Sequence, residues 1–147
     1  MSVDFTEICE SLAERWPPWS ERIRLLEFHE SPAAKPMYND GRSIFYNDRL
    51  LRYLPEDSCR FYLAQQLLHL QFNHFARRGD RDERLWKKAS EAVVNALLRD
   101  EGFELPMNAV LPPEGAVPSA EALYQVFLKD EEDKGENAPD TETELPN

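Results

Sequence analysis

Residues 55–79 constrain the fold more than any other stretch, because they carry a helical pattern that is apolar on two faces. Projected at about 100° per residue, Phe61, Ala64, Leu68, Phe72 and Phe75 gather on one side. Cys59, Leu63, Leu67 and Leu70 gather on another. A helix of this kind has to be wrapped by protein, so it is expected at the centre of the molecule. Pro55 suits the first helical position, Glu56 and Asp57 complement the positive helix end, and Gly79 fits the residue just past the last turn. The pattern predicts a continuous helix of about 23 residues, roughly 34 Å long.

Between the two apolar faces runs a polar stripe of Gln65, His69 and Asn73 at successive i+4 steps, bordered by Tyr62 and Gln66. The stripe lies within QQLLHLQFNH, whose first half is two substitutions away from HELLH. His-Glu-x-x-His on a helix carries metal chemistry because residues i and i+4 project to one side and reach one ion. The Glu then serves as base toward the metal-bound water. Here both of those positions are amides. Gln65 offers a neutral carbonyl oxygen, a poor zinc ligand beside imidazole, and Gln66 cannot accept a proton. Loss of a general base removes roughly 10²–10⁴ in rate. On a regular helix His74 lies about 140° around from His69, so the two cannot grip one metal. Read alone, the stripe is either a set of buried polar groups paired with neighbours or a binding site with Tyr62 and Asn73 in its lining.

The rest of the chain reads as a small sheet with helices around it. Residues 4–16 place Phe5, Ile8, Cys9, Leu12 and Trp16 on one helical face, with Asp4 as cap and Pro17-Pro18 as stop. Residues 22–28 alternate as a strand does, and Asp40-Gly41 between two apolar runs signals a hairpin. Residues 47–54 predict a short helix. Residues 82–100 predict a long one, with Leu85, Trp86, Ala89, Ala92, Val93, Ala96 and Leu97 on its apolar face. Ser119 caps a last helix over 120–128. The resulting class is α+β, with a small antiparallel sheet beside packed helices.

Charge bounds the partners. Of the formal −11, residues 129–147 carry eight acids against two lysines, leaving −5 for the remainder. That segment, nearly free of apolar residues, is expected to be an acidic disordered tail following one domain over residues 1–128. Neither part has the basic stripe that nucleic acid requires. Arg77, Arg78 and Arg81 read as the cationic end of a helix. No run of about 18 apolar residues exists to span a membrane. The acidic, amphipathic N-terminus lacks the basic region of a secretory signal. Cys9 and Cys59, with no close cysteine partner, read as reduced core thiols of a cytoplasmic protein, with a disulfide between them as the minor alternative.

Around the near-miss motif stands an ordered set of further residues: Asp40-Gly41-Arg42, Tyr46-Asn47, Leu68-His69-Leu70, His74, Arg77-Arg78-Gly79, Arg84-Leu85-Trp86, Ala89, Val94-Asn95 and Leu98. On these residues, over about residues 19–128, the sequence resembles the bacterial putative metallopeptidase domain that commonly precedes a von Willebrand factor A-like domain. The resemblance implies a zincin-like fold. It sets His69 on the second zinc histidine, Gln65 on the first, Gln66 on the catalytic Glu, and Glu91 on the acid from the next helix. His74 matches a further family histidine whose role stays open. Read from the helix wheel alone, Glu91 is an exposed residue beside Lys87 and Lys88.

With two positions changed to amides, the expectation is a catalytically inactive, zincin-like interaction or scaffold module without a cofactor. The resemblance implies MoxR-type AAA+ ATPases or von Willebrand A-like proteins as partners. The latter domain is expected on a separate protein or beyond this chain. The alternative is a residual zinc-dependent hydrolase that uses His69 and Glu91 with a substitute ligand such as His74 or Tyr62.

Overall fold

The computed structural model describes residues 3–137. Helix α1 (Thr6–Arg15) buries Ile8, Cys9, Leu12 and Ala13, and Asp4 Oδ1 accepts from the Thr6 amide at 2.9 Å at its start. Pro17–Trp19 forms a 3-10 turn that leads directly into α2 (Ser20–Arg24). The strand expected over 22–28 is therefore helical at its start. Turning on from the proline pair, α2 buries Ile23 and lets Arg24 reach Glu10 of α1 at 3.1 and 3.2 Å. Only Phe28–Glu30 meets a strand partner, and it forms β1.

Strands β2 (Met37–Asn39) and β3 (Ile44–Tyr46) form the hairpin that Asp40-Gly41 announced. Asp40 Oδ1 accepts from the Arg42 and Ser43 amides, and Gly41 takes φ +94°, which a side chain strains to adopt. The sheet order is β1-β3-β2, with β2 at an edge. It is mixed rather than wholly antiparallel, because β1 pairs with β3 in parallel. The α+β class stands.

Short α3 (Asp48–Leu51) is capped by Asn47. The central helix follows as α4 (Glu56–Gln71) and α5 (His74–Arg77), then α6 (Glu83–Asp100) and α7 (Ala120–Asn137). Asp82 caps α6 through the Leu85 amide, and the Ser119 hydroxyl accepts from Ala122 at 3.1 Å at the head of α7. The continuous helix expected over 55–78 is thus two helices. The helix expected to end at 128 runs on to Asn137. Arg84 of α6 holds Glu131 at 2.6 Å, and the i,i+4 spacing of Asp130 and Lys134 favours helix, which together carry α7 past the expected boundary. The remainder of the expected tail, 138–147, lies outside the described residues.

Two apolar clusters hold these elements. One joins α1, α4, the sheet and the far half of α6 through Val94 and Leu98. The other joins α6 and α7 through Trp86, Ala89, Leu123 and Phe127. Helix α6 contributes to both. Two apolar residues assigned to helix faces are instead exposed: Leu97 at 39% and Phe75 at 60%. Phe75 leaves the central face because the helix breaks before it. Cys9 and Cys59 are buried free thiols. No helix among the described residues is long and apolar enough to cross a membrane.

Candidate functional site

The break in the central helix builds the site. Asn73 adopts the left-handed region at φ +57°, which asparagine tolerates better than other side-chain-bearing residues. Its own amide closes back on Leu70 O at 3.1 Å, and α5 then starts in a new direction. The two histidines that a regular helix would separate now meet, with Nδ1 atoms 3.0 Å apart. One ring donates and the other accepts, so the pair is complementary when both are neutral.

Burial favours that state. It pushes His69 down to about 3, aided by His74 and Lys87, and His74 down to about 4, aided by Arg77 and opposed by Glu121. Trp86 of α6 donates its indole N–H to His74 O at 2.7 Å and pins α5 in place. Arg77 donates to Phe72 O at 2.8 Å, covering the broken helix end, and grips Glu121 of α7 with two bonds at 3.0 and 2.5 Å. Arg81 donates to Arg77 O at 2.9 Å while its guanidinium lies 5.1 Å from the Trp86 ring centre. Arg77 and Arg81 thus clamp α5.

The two glutamines point into separate networks. Gly41 donates its amide to Asn39 Oδ1 at 2.9 Å, which leaves the Asn39 NH₂ to donate to Gln66 Oε1 at 2.7 Å. Gln66 Nε2 in turn donates to Met37 O at 3.4 Å, so the Gln66 amide is tied to edge strand β2 at both ends. Asn95 donates to Val110 O at 3.0 Å, and its Oδ1 accepts from Gln65 Nε2 at 3.0 Å. The Gln65 amide is therefore tied to α6.

Two clefts flank these networks. The larger, about 700 Å³, is lined by Asn39, Gln66, His69, His74, Ser90 and Glu91 among others. The smaller, about 430 Å³, includes Tyr62, Gln65 and Asn95. Lys87 and Glu91 border both. Glu91 is half-buried rather than exposed, and it meets Lys87 at 3.7 Å as the ion-pair reading expected. Burial raises its carboxyl, against the lowering effect of Lys87. Asn73 lines neither cleft; it is exposed, and it acts through the backbone.

For a zinc centre of the HExxH kind, the donor set falls short. Among the described residues, no group of three His, Cys, Asp or Glu stands close enough to hold a metal ion. His69 and His74 supply two imidazoles, while Gln65 spends its amide on Asn95. The residues present do not fit such a centre. The His69–His74 contact, the Trp86 bond and the Asn39–Gln66 link escaped sequence reasoning. The one available signal was Asn73, a residue suited to a left-handed break, inside an otherwise helical pattern.

Compared with known proteins, residues 10–145 match the family model described as a putative metallopeptidase domain. No curated protein and no solved structure matches the chain.

Proposed function

Because the chain belongs to the putative metallopeptidase domain family, we propose that it is a non-catalytic, zincin-like member that works by binding other proteins. The observation that carries this reading is the bonding of Gln66, whose amide takes the place of a base and is held by Asn39 and Met37 at both ends. Gln65, next to Gln66 on α4 and bonded to Asn95 of α6, supports it. A member without hydrolysis retains its folded surface as its means of action. MoxR-type AAA+ ATPases and von Willebrand A-like proteins are the partner classes that the family resemblance suggests. The buried free thiols of Cys9 and Cys59 support a reducing, cytoplasmic setting.

The test is metal analysis of chain purified without chelator, alongside incubation with a peptide library and mass spectrometry. Zinc well below one per chain, unchanged in His69→Ala, with intact peptides, is the expected result. Stoichiometric zinc that disappears in His69→Ala, together with cleaved peptides, would sink the reading. Direct titration with purified partners of the two classes tests the binding role.

A second reading, a residual zinc-dependent hydrolase using His69 and Glu91 with His74 as substitute ligand, draws on one observation: the left-handed Asn73 brings the two imidazoles to 3.0 Å. It requires Glu91 to move closer than it stands among the described residues. Zinc uptake lost in both His69→Ala and His74→Ala would favour it.

A further inference from the structure

The smaller cleft gathers positive charge on an acidic protein. Lys35, Arg84, Lys87 and Lys88 all line it, and the chain has only five lysines against 28 acids. Three of the five therefore border one cleft. The arrangement follows from helix geometry. Arg84, Lys87, Lys88, Glu91 and Asn95 fall at i, i+3, i+4, i+7 and i+11 on α6, a single stripe, and Lys35 approaches it from the segment before β2.

Not all of this charge is spent. Arg84 holds Glu131, and Lys87 holds Glu91, the one carboxylate in the cleft lining among the described residues. Lys35 and Lys88 have no acidic partner within ion-pair distance among the described residues, and the Lys88 ammonium rests 4.4 Å from the centre of the Phe127 ring. The floor adds neutral hydrogen-bonding groups from Tyr62, Asn95 and Asn108. Past Lys35, Pro36 and Tyr62, the wall continues into an apolar trough with Leu50 and Leu54. A channel with a cationic end, amide groups and an apolar extension is complementary to an extended peptide carrying carboxylates beside apolar side chains.

We infer that this cleft binds an acidic peptide segment of a partner protein, with Lys35 and Lys88 selecting its carboxylates. Lys87, only 3.7 Å from Glu91 but exposed, adds to the local positive field. The inference rests on the non-catalytic reading for the claim that the occupant is held rather than cut. The net charge of −11 opposes approach of such a segment. At physiological ionic strength that repulsion is screened beyond about 8 Å, so the local cluster governs at contact.

The experiment uses the full chain and labelled hexaglutamate, hexaglutamine and hexalysine peptides, read by fluorescence anisotropy. Hexaglutamate is expected to bind best, weakening as salt rises from about 0.05 to about 0.5 M. The Lys35→Gln/Lys87→Gln/Lys88→Gln variant is expected to bind it about tenfold more weakly. It should stay folded, because all three side chains are exposed and the Lys87–Glu91 and Lys88–Phe127 contacts of such exposed lysines contribute little to stability. A control, Arg22→Gln/Arg49→Gln/Lys129→Gln, removes the same charge elsewhere and should change affinity by less than about twofold. Equal binding of hexaglutamine, or equal losses in the two triple variants, would overturn the inference. Mass spectrometry of the recovered peptide separates the two readings. Cleavage ends the non-catalytic one yet leaves the charge selectivity standing, whereas intact but unselected peptide does the reverse.

Discussion

An amide has an NH₂ group where a carboxylate has a second oxygen, and at position 66 that NH₂ donates to the Met37 carbonyl. Gln66→Glu would set a carboxylate oxygen against that carbonyl with no hydrogen between them. We expect a loss of about 1–3 kcal/mol at neutral pH, measured by urea denaturation. The histidine pair gives a pH dependence whose sign follows from its shifts. Folded His69 and His74 sit at about 3 and about 4, below their ordinary 6.5. As pH falls, the unfolded chain therefore takes up these protons first. Their contribution is whole above about pH 6.5 and is lost progressively on the way down to the folded values. Glu91, raised by burial, acts with the opposite sign just above its ordinary 4.5. Thermal melts from about pH 7 to about pH 4 should show a steeper fall for the native chain than for His69→Gln/His74→Gln. At this scale helical spacing made the buried stripe of Gln65 and His69 legible, whereas Glu91 was singled out by the family resemblance and not by the helix wheel, which read it as exposed. The contact between His69 and His74 was hidden, because it depends on one backbone angle that no side-chain pattern encodes.

That angle belongs to the scale of elements. Position 73 sits at φ +57° between α4 and α5, and the direction of α5 depends on it. Asn73→Ala puts a residue with no local hydrogen-bonding ability into the left-handed region and should cost about 1–2 kcal/mol. Asn73→Gly should be nearly neutral. Chemical denaturation measures both, and imidazole NMR signals report whether the histidines still meet. The segment LQFNHF contains neither Gly nor Pro, so its hydrophobic pattern continued through the break and predicted one long helix. The real punctuation is tertiary: Trp86 and Glu121 hold α5 from outside its own sequence, Trp86 through the His74 carbonyl and Glu121 through Arg77. The misread strand at 22–28 has a similar cause. Alternating burial over so few residues fits a short helix as well, and Arg24 finds its partner on α1.

For the whole molecule, the decisive element is α6, which carries residues of both apolar clusters. Leu98 and Leu123 are each fully buried, one in each cluster. Leu98→Ala and Leu123→Ala should each cost about 2–5 kcal/mol. Because α6 joins the clusters, calorimetry should show one transition moving down in either variant; two separated transitions would contradict the shared helix as the link. The α+β class and the order of most elements were readable from periodicity, caps and the Asp-Gly turn. The parallel β1–β3 pairing was not, since a three-residue strand chooses its partner from the assembled fold.

The indole that fastens α5 also makes the site optically legible. Trp16 and Trp19 neighbour one another, their centroids 5.4 Å apart, with Phe103 beside Trp16. Trp86 instead presents its ring to His74, with centroids 6.0 Å apart and planes at 89°. An imidazolium draws charge from an excited indole, while a neutral imidazole does so far less. The near-ultraviolet emission of Trp86 thus serves as a resident gauge of the histidine pair, sensitive to its ionisation and to the seating of the helix that delivers it.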